Sequence, residues 1–182
     1  MWIESLPTMD AEKLLFIDET WASTSMTRRY GRAPKGQRCV GSAPRGHWKT
    51  TTFIAALRHD RLTAPMVVDA PMDGEMFLAW VRQFLCPTLA QGDIVVLDNL
   101  SSHKVAEVRQ AIAAAGAEVL YLPPYSPDLN PIERLFAKLK ALLRRASKRS
   151  LDTLWQEIGR LLHTLAPSEC RNYFTASGYV CK

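Results

Sequence analysis

The chain has 182 residues, 47% hydrophobic and 23% charged, with a net charge of +5 and an isoelectric point near 9.2. That length suits one domain and is cramped for two, and the balance is that of a globular protein able to bury a core. No apolar run approaches the roughly 18 residues of a membrane span, and Met1-Trp2-Ile3-Glu4-Ser5 lacks the basic and apolar regions of a secretion signal, so a cytoplasmic protein without a membrane partner is expected.

Residues 1–13 read as a lead-in. Leu14-Leu15-Phe16-Ile17 is a compact apolar run ending at Asp18 and predicts a buried strand. Residues 20–49 are rich in Arg, Lys, Gly, Ser and Thr, with Trp21, Tyr30 and Trp48 among them, and predict surface loop or irregular hairpin. Thr51 to Leu57 is β-branched and apolar, a strand. Arg58 to Arg61 is a polar turn, with Ala64 to Val68 as the antiparallel return. Asp73 can cap a helix reaching about Leu85, where Pro87 stops it. Gly92-Asp93 turns into Ile94-Val95-Val96-Leu97, a second buried strand ending at Asp98. A helix follows from about Ser102 to Ala115, closed by Gly116, then a short strand, Val119 to Leu122. The loop Tyr125 to Asn130 leads into a long helix, Pro131 to Ser147. Another helix spans Leu151 to Leu165, and a short one follows Pro167. Strands first, then strands alternating with helices, indicate an α/β fold with a mixed sheet covered by helices.

Two buried strands thus end in an aspartate. Acids there lie at the sheet edge, where α/β folds place their ligands. A third acid, Glu133, follows Asn130, a good N-cap, and Pro131, which suits the first helical position. Three carboxylates on rigid elements suit magnesium, which takes oxygen ligands and leaves room for water and phosphate. Each acid also has a structural reading: Asp18 as a turn residue, Asp98 as a helix cap, Glu133 as a first-turn glutamate stabilised by the helix dipole. The four cysteines, Cys39, Cys86, Cys170 and Cys181, are scattered without a C-x-x-C pair, which argues against structural zinc. Without an export signal they are expected to be reduced.

Three motifs together shift the weight toward the metal-site reading. Leu122-Pro-Pro-Tyr-Ser-Pro-Asp-Leu-Asn-Pro-Ile-Glu133 closely resembles the signature of Tc/mariner-type DDE transposases, in particular their bacterial insertion-sequence relatives. Phe16-Ile-Asp-Glu-Thr20 resembles the family's first-aspartate strand and Val96-Leu-Asp-Asn-Leu-Ser-Ser-His103 its second. The 34 residues between Asp98 and Glu133 match the group's spacing. The resemblance covers residues 14–175, leaving 176–182 as a C-terminal tail. It implies an RNase H-like fold, a central mixed sheet flanked by helices. It further implies two Mg2+ or Mn2+ ions held by Asp18, Asp98 and Glu133. The implied reaction is cleavage at transposon ends, then attack of the freed 3′-hydroxyl on target DNA, without a covalent protein intermediate. A homodimer on DNA is likewise a family expectation.

Around these acids, His103 reads as a contact to substrate phosphate or water, or as a plain helix-start residue. Asn99 either orients Asp98 or turns the chain, and Asn130 is expected to support the acids from the cap position. Glu19 should point to the face opposite Asp18. The basic residues Arg134, Lys138, Lys140, Arg144, Arg145, Lys148 and Arg149 follow Glu133. They form either a solvated face or a phosphate-tracking one, and Lys138, Arg144 and Arg145 are its DNA-contact candidates. A second cluster holds Arg28, Arg29, Arg32, Lys35, Arg38, Arg45 and Lys49, of which the first three are candidates to grip DNA. Only 17 residues precede Asp18, too few for the helix-turn-helix domains that read transposon ends in full-length relatives. The expectation is a catalytic half alone. Two alternatives remain: a repurposed DNA-binding remnant, and an RNase H-like nuclease without strand transfer.

Overall fold

The computed structural model describes Trp2 and residues 9–28, 30–99 and 106–181. Five strands form one sheet: β1 (Leu14–Ser23), β2 (Thr50–Leu57), β3 (Leu62–Val68), β4 (Ile94–Leu97) and β5 (Glu118–Tyr121). Their order is β3-β2-β1-β4-β5. The sheet is mixed, as expected: β1 and β3 run antiparallel to β2, while β4 and β5 join in parallel. The helices are α1 (Gly74–Trp80), α2 (Ala106–Ala114), α3 (Pro131–Ala146), α4 (Leu151–Leu162) and α5 (Pro167–Ala176).

Both faces of the central strands are buried, which is why β1 and β4 read as continuous apolar runs rather than alternating ones. Side chains still alternate between the faces. Leu14 and Phe16 join Phe53, Ala55, Leu57 and Val96 beneath Ile132, Leu135, Phe136 and Leu139 of α3 and Leu154 of α4. Leu15 and Ile17 join Ile54, Ala56, Val95 and Leu97 beneath Phe77 and Trp80 of α1 and Val108 and Ile112 of α2. Asp18 shares the parity of Phe16, so β1 directs it toward the α3 side.

Several elements differ from expectation. β1 does not end at Asp18 but continues to Ser23. Its second half loses β4 as a neighbour after Phe16 yet pairs with β2 through Ser23↔Thr50. The backbone ladder, not apolar side chains, carries it past the acids. Irregular chain therefore begins only after Ser23. The helix capped by Asp73, whose side chain accepts from the Met76 N–H at 2.8 Å, is α-helical only to Trp80. It widens into a π-helical stretch at Val81–Leu85 and tightens at Cys86–Thr88, so Pro87 sits inside a final 3-10 turn. α2 is described from Ala106 and closes at Gly116 in the left-handed conformation, φ +81°. α4 ends at Leu162 because Thr164 and Leu165 fold back into i→i−3 bonds. Its start is fixed by a capping box between Ser150 and Thr153.

The turn after β2 is not merely polar surface. Arg58 is buried and bonds both Asp93 carboxylate oxygens, Nη1–Oδ1 at 3.2 Å and Nη2–Oδ2 at 2.5 Å. This ties the end of β2 to the start of β4. The segment expected as a C-terminal tail packs into the core: Tyr179 is fully buried against Phe16 and Phe174, with ring centroids 4.9 and 5.9 Å away. Its hydroxyl donates to the Leu129 carbonyl at 2.8 Å, next to Asn130, and accepts from the Trp2 indole at 3.3 Å.

Candidate active site

Asp18, Asp98 and Glu133 come from β1, the end of β4 and the first turn of α3, and all three line one open cavity of about 490 Å³. Its remaining wall is Asn99, Asn130 and the segment from Leu122 to Pro127. Pro123, Pro124 and Pro127 fix φ along this wall and offer no N–H. Ser126 precedes a 3-10 turn, Pro127–Leu129, that delivers the chain to α3. Tyr125 stands on the rim with φ +56°, a left-handed conformation uncommon for a bulky residue, and its side chain is fully exposed.

The acids differ in setting. Glu133 is exposed and Asp98 half-buried, whereas Asp18 is only 8% exposed. Asp18 accepts the Glu19 backbone N–H on Oδ1 at 2.8 Å and the Asn130 carboxamide on Oδ2 at 2.9 Å. Burial, with Glu133 and then Asp98 as like charges, pushes its carboxyl up to about 8, while the Glu19 N–H opposes the rise. Asp18 is thus the acid that feels both of the others. Three carboxylates, one of them disfavoured as a bare anion, with no thiolate or imidazole beside them among the described residues, suit a hard divalent cation. Among the described residues no three His, Cys, Asp or Glu side chains are gathered closely enough to cage a metal ion unaided. Hard oxygen donors of this kind would suit magnesium, whose remaining positions water and phosphate can fill.

The supporting residues divide. Asn130 occupies the N-cap position of α3, but its side chain makes no capping hydrogen bond. It turns to Asp18 instead, forgoing a cap worth about 1 kcal/mol. Asn99 lines the cavity. Glu19 follows Asp18 on the strand and takes the opposite face, as expected from alternation. His103 and Arg29 lie outside the described residues.

The basic face of α3 is only partly available. Lys138 pairs with Glu169 at 2.5 Å. Arg134 donates to the Ala176 carbonyl at 2.9 Å, and Lys148 lies 3.6 Å from Glu157. Arg149 donates to the Thr24 and Met26 carbonyls, both at 2.9 Å, pinning the start of the basic segment. Arg145 and Arg28 line a shared groove with Glu157 and Arg160, so two residues 117 positions apart meet as neighbours. Arg144 is half-buried and Arg32 exposed. Sequence reasoning placed Lys140 on the basic face but did not single it out. Its ammonium stacks on the Trp21 ring at 4.8 Å, and burial holds its pKa below the ordinary lysine value although Glu133 pulls the other way. The signal was the seven-residue interval from Glu133, which places both on one helix face.

Among the described residues no helix is long and apolar enough to cross a membrane. Residues 13–155 match the DDE superfamily endonuclease family. The Tc1 transposable-element transposase of Caenorhabditis elegans is 30% identical over 144 residues, 73% of this chain and 51% of that protein. The chain therefore spans about half the length of this curated relative. Among solved structures, the mariner Mos1 paired-end complex with Mg superposes with a TM-score of 0.75 at 17% identity, covering 93% of this chain and 57% of that one. The catalytic domain of Mos1 mariner transposase gives 0.62 at 15% identity, covering 94% and 85%. The sheet is accordingly the RNase H-like one expected from the motifs, and the chain belongs to the DDE superfamily endonucleases.

Proposed function

We propose that the chain is the catalytic domain of a Tc/mariner-type transposase of the insertion-sequence kind, cutting DNA at transposon ends and joining the freed end to target DNA. One observation carries this reading: three acids from separate stretches of chain line a single open cavity within a fold of that family. Asp18, Asp98 and Glu133 are the catalytic acids and would hold two Mg2+ or Mn2+ ions. Such ions supply Lewis-acid activation of the attacking oxygen and neutralise charge on the leaving one. In hydrolysis a water oxygen bonds to phosphorus as the 3′-oxygen leaves, freeing a 3′-hydroxyl. In transfer that hydroxyl attacks a target phosphodiester and displaces its 3′-oxygen.

The chain's own groups orient this chemistry. Asn130 and the Glu19 N–H hold both oxygens of Asp18, and the segment from Pro123 to Pro127 walls the cavity beside them. Asn99 and His103 are assigned to support of Asp98 and the substrate phosphate. Arg28, Arg29, Arg32, Arg144 and Arg145 are the proposed phosphate contacts, whereas Lys138 is taken up by Glu169; paired transposon ends would require two copies of the chain.

The test is nicking of supercoiled DNA by the purified chain, with Mg2+, with Mn2+ and with chelator, beside Asp98→Asn. Metal-dependent nicking abolished by the substitution supports the assignment. Nicking that survives in Asp98→Asn removes the site.

A further inference from the structure

We infer that Asn130 is a positioning residue of this site, locking Asp18 with one end of its carboxamide and presenting the other to a water bound in the cavity. The inference rests on the metal-site reading above. Asn130 is 3% exposed, yet it lines the cavity. Its Nδ2 donates to Asp18 Oδ2 at 2.9 Å. Its Oδ1 is buried and has no hydrogen-bond partner. Buried amide oxygens are rarely left so, and an O–H donor in the cavity is the chemistry that satisfies this one.

Its placement supports a positioning role over a helix-capping one. An N-cap asparagine normally accepts from the second or third helical N–H, and here the side chain makes no such bond. The residue is held from behind as well: the Tyr179 hydroxyl donates to the Leu129 carbonyl at 2.8 Å, and the Asn130 N–H bonds to the Pro127 carbonyl at 3.0 Å. The backbone at 129–130 is thus fixed on both sides. Its one hydrogen-bonded side-chain contact couples α3 to β1. Because Glu133 is three residues further along α3, the same lock sets the spacing between two of the acids. Partners that orient a metal's carboxylates are worth roughly 10–100-fold in metal affinity.

The experiment compares the wild-type chain with Asn130→Ser and Asn130→Ala, titrating Mn2+ alone and following free Mn2+ by electron paramagnetic resonance. Melting of the metal-free proteins is measured in parallel. Serine is a good N-cap but too short to reach Asp18, so a capping role predicts wild-type Mn2+ affinity for Asn130→Ser. The positioning role predicts a Kd raised about 10–100-fold in both variants, with Asn130→Ser melting close to wild type. If Asn130→Ser folds and binds Mn2+ within about twofold of wild type, the inference fails while the site stands. If the wild-type chain itself binds no Mn2+, the metal-site reading fails and takes this inference with it.

Discussion

Replacing Asp18 by asparagine should make the metal-free protein more stable. The carboxyl is almost fully buried and is pushed from an ordinary value of 3.8 to about 8 by burial, Glu133 and Asp98. In the unfolded chain it ionises near its ordinary value. Below about pH 4 it is protonated in both states and contributes no penalty. From there to about pH 8 the folded state increasingly resists ionisation that the unfolded state accepts freely, so stability falls as pH rises through this window and the penalty is complete above it. At about 1.4 kcal/mol per unit of displacement, the ceiling at pH 7 is roughly 4 kcal/mol. Asparagine keeps the shape and removes the charge. Its Oδ1 can take the Glu19 N–H, and its amide can donate to Asn130 once that carboxamide turns over, filling the Oδ1 now unpartnered.

The assay is urea unfolding of both proteins in chelator at several pH values. Asp18→Asn should gain on the order of 2–4 kcal/mol at pH 7, with the gain near zero at pH 4 and greatest above pH 8. With Mn2+ added the order should reverse, because binding stabilises only a protein that has the ligand. A variant that is less stable than wild type in chelator at pH 8, or whose gain does not change with pH, would refute the reasoning.

The Arg58–Asp93 pair titrates with the opposite sign. Burial alone would raise Asp93, but the Arg58 hydrogen bonds and the Ala90 N–H override it and hold the carboxyl below its ordinary value; the pair's stability is present above pH 4 and lost as pH falls through the depressed pKa. Arg58→Ala should lower stability by about 3–5 kcal/mol at pH 7 in chemical denaturation, with the loss shrinking in acid. In DNA-binding titrations against salt, Arg145→Ala should lower the salt slope by about 1, whereas Lys138→Ala, already paired with Glu169, should leave it nearly unchanged. Equal effects from both would mean that the ion pair opens on DNA. Tyr179→Phe loses the bond to the Leu129 carbonyl and should destabilise the fold by about 1 kcal/mol in thermal melts, while loosening the turn that leads to Asn130.

What the sequence disclosed, and what it withheld, follows from where the free energy comes from. The buried strands announced themselves because their side chains are apolar on both faces; the core positions of α3 did so by their spacing. The continuation of β1 through Asp18 to Ser23 was not legible, since pairing with β2 is a backbone matter that side-chain polarity does not report. Arg58 read as turn surface because its partner, Asp93, is 35 residues away. The same limit concealed the positions of Tyr179, Lys138 and Arg149, whose partners lie on other elements.

The site shows this division most clearly. Residue types and spacing left the three acids as turn and cap candidates and made Asn130 a cap; the resemblance to the family's motifs singled the acids out. Only the fold makes Asp18 unlike the other two, by burying it between a strand ladder and the start of α3 and setting like charges around it. The arrangement is unfavourable for the protein alone: a buried carboxylate resists ionising and an amide oxygen lacks a donor. Both defects lie in one cavity, and a hydrated divalent cation would relieve both. A fold that had been shaped only for stability would have exposed Asp18 or capped α3 with Asn130. That it does neither is the physical argument for reading the cavity as a site for catalysis.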